Sequence, residues 1–291
     1  MGLFSPGASG YLYVFAAAWL WSLIGPLSKI CLTEGLTPLE VAFWRAAFGG
    51  ICFFAQTACR GGLRIPLRHA AVFCVFGVPG VSLFFATLQI SIQLSGAAMA
   101  MVLMYTAPAW VAVFSRRLFH EKFSGRKIAA LGIAMAGTAL VCLSGGSLQA
   151  APSLLGIVCG LASGVCYAAH FPFYVWWKSR YSTATLYAYM LLGGAAALYP
   201  FVEFSPRYSA QVWAGLAALG VVTNYAAYLA YGRSLKLLSP VRAAVIGNME
   251  PVLATLWVWL FWQENFSLDG WVGSALVIAA VFLLTTDRDT R

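Results

Sequence analysis

The chain of 291 residues is 61% hydrophobic and only 9% charged, whereas about a quarter of the residues of a soluble domain are charged. The net charge of +9 and the seven cysteines raise the questions of a nucleic-acid partner, a metal site and a disulfide framework. The cysteines stand singly, with no CxxC spacing and no Cys/His cluster, so we expect no metal, no cofactor and no disulfides. The composition predicts an all-α membrane protein.

Apolar stretches of roughly twenty residues recur along the chain, and each is long enough to cross about 30 Å of hydrocarbon as a helix. In chain order, the ten predicted transmembrane helices cover residues 11–31, 39–58, 70–92, 97–118, 127–143, 153–176, 184–202, 211–231, 242–262 and 270–286. The connections are short, so no soluble domain is expected. The first ten residues contain no basic residue, which argues against a cleaved signal peptide.

Most lysine and arginine residues share one side of the membrane if the N-terminus is cytoplasmic. The loops after the second, fourth, sixth and eighth predicted helices and the C-terminal tail contain Arg60, Arg64, Arg68, Arg116, Arg117, Lys122, Arg126, Lys127, Lys178, Arg180, Arg233, Lys236, Arg242, Arg288 and Arg291. Only Arg207 falls in a predicted outer loop. This bias follows the positive-inside rule and predicts that both termini are cytoplasmic. The net charge therefore reports topology and does not indicate nucleic-acid binding.

Two segments of the chain resemble each other. YTAPAWVAVFSRRLFHEKFS, residues 105–124, aligns without gaps with NMEPVLATLWVWLFWQENFS, residues 248–267. Pro108 aligns with Pro251 in this comparison, and the apolar and acidic residues that follow also coincide. The chain is therefore predicted to contain an internal duplication.

The two predicted repeats are residues 1–148 and 149–291, with five helices each. Because five is an odd number, the second repeat is inverted in the membrane. The loops agree with opposite orientations, since FSRRLFHEKFSGRK is basic whereas its counterpart carries Glu264 and Asp269. Inverted repeats are typical of secondary transporters, whose substrate site lies near the bilayer midplane between the halves.

Three motifs follow one another along the chain: FWRAAFGG in the second predicted helix, YTAP in the fourth, and MEP followed by WQENFS around the ninth. With these motifs and the duplication, the whole chain resembles the drug/metabolite transporter superfamily, and within it the EamA type. The resemblance implies export, or sometimes uptake, of small metabolites such as amino acids, amines, nucleobases or drugs, often in exchange for protons. It names no single substrate.

Glu250 directly precedes Pro251 in an otherwise apolar run. Pro108 and Pro251 each remove one backbone hydrogen bond from a helix and are predicted hinges; a packed static kink is the alternative. A carboxylate at this depth is costly and usually faces an interior cavity. We predict that Glu250 couples transport to protons, because a substrate ammonium and a proton can compete for it. The alternative is a permanently protonated side chain that caps the kink.

Polar and aromatic side chains on inner helix faces are the predicted substrate-binding residues: Trp21, Tyr105, Tyr167, His170, Asn224, Tyr228 and Asn248. Tyr167 and His170 share one face of the sixth predicted helix, and aromatic rings beside an acid can bind an ammonium by cation–π attraction. Tyrosines also form interfacial belts, and we predict this role for Tyr174 and Tyr231 near helix ends. His170 could relay protons or only pack against neighbouring helices.

Three charged residues in or near predicted helices are expected to have a structural role and not to bind substrate. Arg45 lies close to the start of the second predicted helix and is expected to snorkel outward. Lys29 and Glu40 are expected to reach the outer interface.

The predicted function is secondary active transport, namely proton-linked export of a small amino acid or amine across the inner (plasma) membrane. The alternative is an uncoupled facilitator or an uptake carrier for an aromatic or quaternary-ammonium solute. An enzyme is not expected, because the sequence contains neither HExxH nor GxSxG. The expected partners are a small-molecule substrate, protons and the lipid bilayer, with no nucleic acid. The oligomeric state stays open, and a monomer is compatible with the sequence.

Overall fold

The computed structural model describes residues 6–144, 153–262 and 267–285, and within these ranges the chain forms helices and their connections without a β-strand. The described part of the protein is therefore all-α, as predicted. Several features singled out in the sequence lie outside these ranges: the boundary between residues 148 and 149, residues 263–266 of the WQENFS motif including Glu264, Arg288 and Arg291.

The helices fall into two sets along the chain. The first set is α1 (Pro6–Ser22), α2 (Ile24–Thr33), α3 (Pro38–Cys59), α4 (Leu67–Gly77), α5 (Phe84–Ser95), α6 (Ala97–Met104), α7 (Ala107–Phe119) and α8 (Gly125–Ser144). The second set is α9 (Leu154–Trp177), α10 (Thr183–Leu198), α11 (Ala210–Ala218), α12 (Ala227–Leu237), α13 (Pro240–Gly247), α14 (Met249–Trp262) and α15 (Leu268–Thr285). Three short segments continue neighbouring helices: the π-helices Val78–Leu83 and Leu219–Ala226, and the 3-10 helix Tyr199–Phe201.

Among the described residues, eight helical stretches are long and apolar enough to cross a membrane. They are Ser9–Thr33, Pro38–Cys59, Leu67–Ser95, Ala98–Phe119, Gly125–Ser144, Leu154–Trp177, Thr183–Phe201 and Ala210–Leu237, and they coincide with the first eight predicted helices. α13 and α14 occupy the position of the ninth predicted helix, and α15 contains a shorter apolar stretch, Leu268–Leu284. The protein is a multi-pass membrane protein.

Side-chain caps set the starts of several helices. Thr37 Oγ1 accepts a hydrogen bond from the Glu40 N–H, and the Glu40 carboxylate accepts one from the Thr37 N–H, which forms a capping box before α3. Ser153, Ser182 and Ser209 cap α9, α10 and α11 by accepting from the N–H three residues further on. Each cap satisfies an N–H that the first helical turn leaves without a partner.

Glu40 was expected to reach the outer interface. It lies at the end of the bundle, in the first turn of α3, but it does not reach the surface. Its side chain is fully buried and accepts hydrogen bonds from the Ser205 N–H at 2.8 Å, from Ser205 Oγ at 2.9 Å and from the Tyr208 hydroxyl. Burial and the bond to this carboxylate raise the pKa of the Tyr208 hydroxyl above its usual value. Glu40 thus fastens the loop before α11 to the start of α3.

Two helical stretches are interrupted close to the predicted hinges. α6 and α7 are separated at Tyr105 and Thr106, and α13 and α14 are separated at Asn248. Pro108 and Pro251 lie in the first turn of the helix that follows each interruption. A proline is tolerated in the first turn of a helix, where its missing N–H would have no intrahelical partner. The structure therefore accommodates each proline by starting a new helix just before it.

Close helix packing depends on glycine where α8 meets α15. A Cβ atom added to Gly137 would lie 2.6 Å from the Gly273 carbonyl oxygen, and one added to Gly273 would lie 2.6 Å from the Gly137 carbonyl oxygen. Small residues allow such an approach between membrane helices. Further contacts join α3 to α10, α1 to α12, and α5 to α9, so both sets of helices contribute to one bundle.

Replacing Gly137 with alanine should destabilise the protein by about 1–3 kcal/mol, because the added methyl group would overlap the α15 backbone. The apparent Tm of the protein purified in detergent measures this effect. A Cβ atom at Gly132, also on α8, would have nothing within 4 Å, so Gly132→Ala is the matched control and should keep or slightly raise the Tm. Equal Tm values for the two variants would contradict the close packing of α8 and α15.

Candidate functional site

Two cavities lie inside the bundle and share part of their walls. The larger has a volume of about 600 Å³ and the smaller a volume of about 30 Å³. The residues that line both are Trp21, Tyr105, Tyr167, Tyr228 and Glu250. All five were predicted from the sequence, and the structure brings them together at the junction of the two cavities.

The large cavity extends from Glu250 to one end of the bundle. At that end it is lined by Thr33 and Pro38, which are exposed on either side of the loop between α2 and α3. Its charged lining residues are Lys29, Arg45 and Glu250, and most of the remaining wall is apolar. The cavity is therefore a largely apolar space that is open at one end and has an acid at its inner end.

The small cavity extends from Glu250 in the opposite direction. Three further residues predicted from the sequence line it: the hinge residue Pro108, and His170 and Asn248. Tyr187 also lines this cavity and was not predicted. The sequence around it, TLYAYML, places tyrosines two residues apart, which does not single out either of them as the inner side chain of a helix.

Glu250 lies in the first turn of α14, directly after the interruption at Asn248, where the helix dipole favours a negative charge. Its carboxylate interacts electrostatically with the Arg45 guanidinium, and the Tyr105 hydroxyl is close enough to act as a hydrogen-bond donor to it. The interrupted helix and these two partners hold the acid at the junction of the cavities.

The prediction that Arg45 snorkels outward is wrong. Its side chain is 9% exposed and lines the large cavity, with the guanidinium 5.5 Å from the centroid of the Phe85 ring. α3 begins at Pro38, so Arg45 lies about two turns inside the helix. Polar partners within the bundle are therefore more accessible to it than the membrane interface.

Asn224 was predicted to contact the substrate, but it lines neither cavity. It forms hydrogen bonds with Arg45 instead. Arg45 Nε donates to Asn224 Oδ1 at 2.8 Å, and Asn224 Nδ2 donates to the Arg45 carbonyl at 3.0 Å. Asn224 belongs to one π-helix; the other contains Gly80, whose carbonyl accepts a hydrogen bond from His170 Nε2 at 2.6 Å. Each π-helix thus supplies a polar partner to a residue that lines a cavity.

The aromatic side chains near Glu250 form one packed cluster. The Tyr228 ring stacks on Tyr187 at a centroid distance of 4.5 Å, lies 5.5 Å from Trp21 and faces His170 at 6.0 Å. Tyr231 packs against Trp21 at 5.1 Å and lines the small cavity, so its predicted place in an interfacial belt is wrong. Although some of these rings lie near helix ends, they pack against each other inside the bundle and not at the membrane interface.

The end of the bundle opposite the opening is closed by hydrogen bonds. Tyr174, also predicted in a belt, is 1% exposed; its hydroxyl donates to the Gly232 carbonyl at 2.8 Å and lies 2.8 Å from Thr183 Oγ1. Lys178 Nζ donates to the Leu235 carbonyl at 2.8 Å. These bonds connect α9 with α12 and with the start of α10, and they separate the cavities from that end.

The two cavities are lined by one acid, one guanidinium, one lysine ammonium, one imidazole and several aromatic rings. Among the described residues, no three His, Cys, Asp or Glu side chains are grouped so that they could hold a metal ion. The cysteines are free thiols.

The EamA-like transporter family model matches this chain twice, over residues 8–143 and 154–286. An "Uncharacterized transporter" of Archaeoglobus fulgidus is 27% identical, over 90% of this chain and 92% of its own. The "Uncharacterized inner membrane transporter YicL" of Salmonella typhimurium is 22% identical, over 97% of each chain. A solved crystal structure shares the fold, with a TM-score of 0.82 and 21% identity over 96% of both chains. Because the matched segments span nearly the whole chain, the protein belongs to the EamA-like transporter family of the drug/metabolite transporter superfamily.

Proposed function

We propose that this protein is a secondary active transporter that exports a small amino acid or amine across the inner (plasma) membrane in exchange for protons. One observation carries the proposal: Glu250 and Arg45 face the same open cavity of about 600 Å³. Ligand cavities of about 300–1,000 Å³ accommodate small metabolites. The names of the relatives support transport as the activity.

The charges of the cavity favour a zwitterionic substrate. Arg45 uses Nε on Asn224 and keeps its terminal nitrogens for a carboxylate, which a guanidinium binds with two parallel hydrogen bonds. Glu250 can bind the substrate ammonium, and the rings of Trp21 and Tyr228 can pack against an apolar side chain. An α-amino acid combines a carboxylate, an ammonium and a side chain within a few ångströms, as this arrangement requires.

Glu250 supports proton coupling because one carboxylate binds either a proton or an ammonium. A carboxylate in a low-dielectric site needs a proton or a charged partner, and in the proposed complex the Arg45 guanidinium is engaged by the substrate carboxylate. Binding of the substrate ammonium on one side of the membrane would therefore release the proton, and protonation on the other side would release the substrate. This competition is sufficient for exchange.

Exchange also requires the cavity to open to each side in turn, which we attribute to ten transmembrane helices arranged as two inverted repeats of five. α13 with α14 would form the ninth crossing and α15 the tenth. The separate match of the family model to each half supports the duplication. The interruptions before Pro108 and Pro251, which are aligned residues, support the equivalence of the two halves.

The helix contacts support the same symmetry. The π-helices Val78–Leu83 and Leu219–Ala226 occupy corresponding places in the third and eighth predicted helices. Contacts between α5 and α9 correspond to those between α12 and α1, and α3 with α10 and α8 with α15 are pairs of equivalent helices. A bundle with two equivalent halves can open at one end and then at the other, because the two states contain similar contacts and have similar free energies.

We infer cytoplasmic termini from the basic loops. With this orientation, the large cavity would open to the outside, and the hydrogen bonds of Tyr174 to Gly232 and Thr183 would close the cytoplasmic end. The structure would then correspond to an outward-facing state. Opening to the cytoplasm would require these bonds to break.

A second candidate function is facilitated transport or uptake of an aromatic or quaternary-ammonium solute without proton coupling. The aromatic rings around Glu250 favour it, because such cations bind between aromatic faces. Arg45 and Lys29 in the wall of the large cavity oppose it, because they repel a permanent cation. We therefore prefer the zwitterion.

Replacing Glu250 with glutamine should abolish proton-driven exchange and the Tm increase caused by amines, because the neutral amide neither takes up a proton near neutral pH nor offers a negative charge to an ammonium. Thermal shift assays with amines, amino acids and neutral aromatics, followed by transport in proteoliposomes, measure both effects. Glu121→Gln is the matched control, because Glu121 forms an ion pair with Lys127 at 3.2 Å and lines neither cavity. Proton-driven exchange that persists in Glu250→Gln would exclude this residue as the coupling group.

Replacing Arg45 with glutamine should weaken the binding of an amino acid at least tenfold, or about 1.4 kcal/mol, because the carboxylate loses its guanidinium partner. The corresponding amine without a carboxylate should bind as well as before or more tightly, because a positive charge is removed from the cavity wall. Arg233→Gln is the control, since Arg233 is exposed and contacts the Tyr13 ring. The affinities are measured by thermal shift titration. A parallel loss of amino acid and amine binding would show that Arg45 does not recognise the carboxylate.

A further inference from the structure

The small cavity is lined by two buried side chains that each have a polar atom without a hydrogen-bond partner. The atoms are His170 Nδ1 and Asn248 Nδ2, and the two side chains are 7% and 3% exposed. An unsatisfied buried polar group costs about 1–3 kcal/mol. Two such groups on one cavity of about 30 Å³ therefore indicate a polar ligand at this place.

The two atoms have complementary hydrogen-bonding roles. His170 Nε2 bonds to the Gly80 carbonyl, which can only accept, so Nε2 carries the proton and Nδ1 of the neutral ring is an acceptor. Asn248 Nδ2 is a donor. Glu250, which lines the same cavity, adds carboxylate acceptors when it is ionised.

Water is the ligand that fits these roles and this volume. A cavity holds a water molecule from about 10–15 Å³ upward, and a buried water needs two to four polar partners. It can accept from Asn248 Nδ2 and donate to His170 Nδ1 and to the Glu250 carboxylate. Cavities that bind small metabolites measure about 300–1,000 Å³, so we assign the substrate to the large cavity.

We propose that the small cavity binds water that connects Glu250 with His170 and Asn248, and that this water transfers a proton between Glu250 and His170. The inference rests on the proposed proton coupling. In the transfer, the O–H bond of the Glu250 carboxyl breaks, the water takes up this proton and gives one of its own to His170 Nδ1. A carboxylate and an imidazolium result, and the reverse step restores the neutral pair.

The neighbouring groups make His170 the suitable acceptor. The other titratable groups that interact with Glu250 are Arg45 of α3, Tyr105, Cys142 of α8, Tyr167 of α9 and Tyr228 of α12. The tyrosines around His170 are Tyr167, Tyr187 and Tyr228. Only an imidazole among these groups ordinarily exchanges protons near neutral pH. The transfer takes the proton from Glu250 toward the closed end. The proton leaves when that end opens, and the Glu250 carboxylate is then free for an ammonium.

The first test fills the small cavity without changing a polar group. Val111 lines the small cavity and not the large one, and Val111→Ile adds one methyl group there. Val113 on the same helix is 47% exposed, so Val113→Ile is the matched control. The probe is labelled phenylalanine, an amino acid whose side chain suits aromatic walls.

Two transport assays in proteoliposomes separate proton transfer from substrate exchange. Counterflow of phenylalanine needs no net proton transfer, whereas transport driven by a pH gradient does. We expect Val111→Ile to slow pH-driven transport several-fold and to leave counterflow unchanged, and Val113→Ile to change neither. Unchanged pH-driven transport in Val111→Ile, or equal slowing in both assays, would overturn the proposed water path.

The second test observes the water itself. In an experimental map that resolves ordered water, we expect density within hydrogen-bonding distance of His170 Nδ1 and Asn248 Nδ2 in the wild type, and none in Val111→Ile. A dry cavity in the wild type would reject the site. This measurement needs no transport. If the density is present and the wild type shows neither counterflow nor pH-driven transport of phenylalanine or of any amino acid or amine that raises its Tm, the proposed transport and the proton transfer are rejected and only the water site stands.

Discussion

A carboxylate, a guanidinium and an imidazole inside a membrane-spanning bundle need partners that lipid does not supply. Arg45 obtains its partner from Asn224, and His170 obtains one from the Gly80 carbonyl. Both partners lie in π-helices, a local geometry that often occurs at functional sites. Glu250 lies where α13 and α14 are interrupted and interacts with Arg45 and the Tyr105 hydroxyl. The irregular segments of the helices therefore occur where polar side chains have to be satisfied.

The same requirement divides the interior into two spaces with different chemistry. The large cavity carries the charges of Lys29, Arg45 and Glu250 on an apolar wall, which suits a small charged solute. The small cavity, of about 30 Å³, is large enough for water and is lined by His170 and Asn248. Glu250 belongs to both spaces, so a proton and a substrate can reach the same carboxylate from different directions. In the proposed mechanism, this single shared group links the two movements.

Much of the site was predictable because the bilayer penalises polar side chains that face lipid. Tyr105, Tyr167, Tyr228 and Glu250 are polar residues in apolar stretches, and each was expected, and found, to face an interior space. The errors arose where more than one satisfactory environment was available. Arg45 could reach either the interface or the interior. The sequence does not show that Asn224, which lies far away along the chain, is next to Arg45 in the folded protein. Tyr174 and Tyr231 near helix ends have the same ambiguity, which packing against other helices resolves.

The sequence by itself determined the membrane class, the positions of most helices, the kinks near Pro108 and Pro251, and the presence of an acid inside the bundle. These features depend on hydropathy, helix length and proline chemistry, all of which are local properties of the chain. Only the tertiary structure decided that Arg45 interacts with Glu250, that Asn224 forms a hydrogen bond with Arg45, and that His170 and Asn248 line the same cavity of about 30 Å³. These relations join residues of different helices, and their geometry depends on how closely the helices approach and rotate against each other.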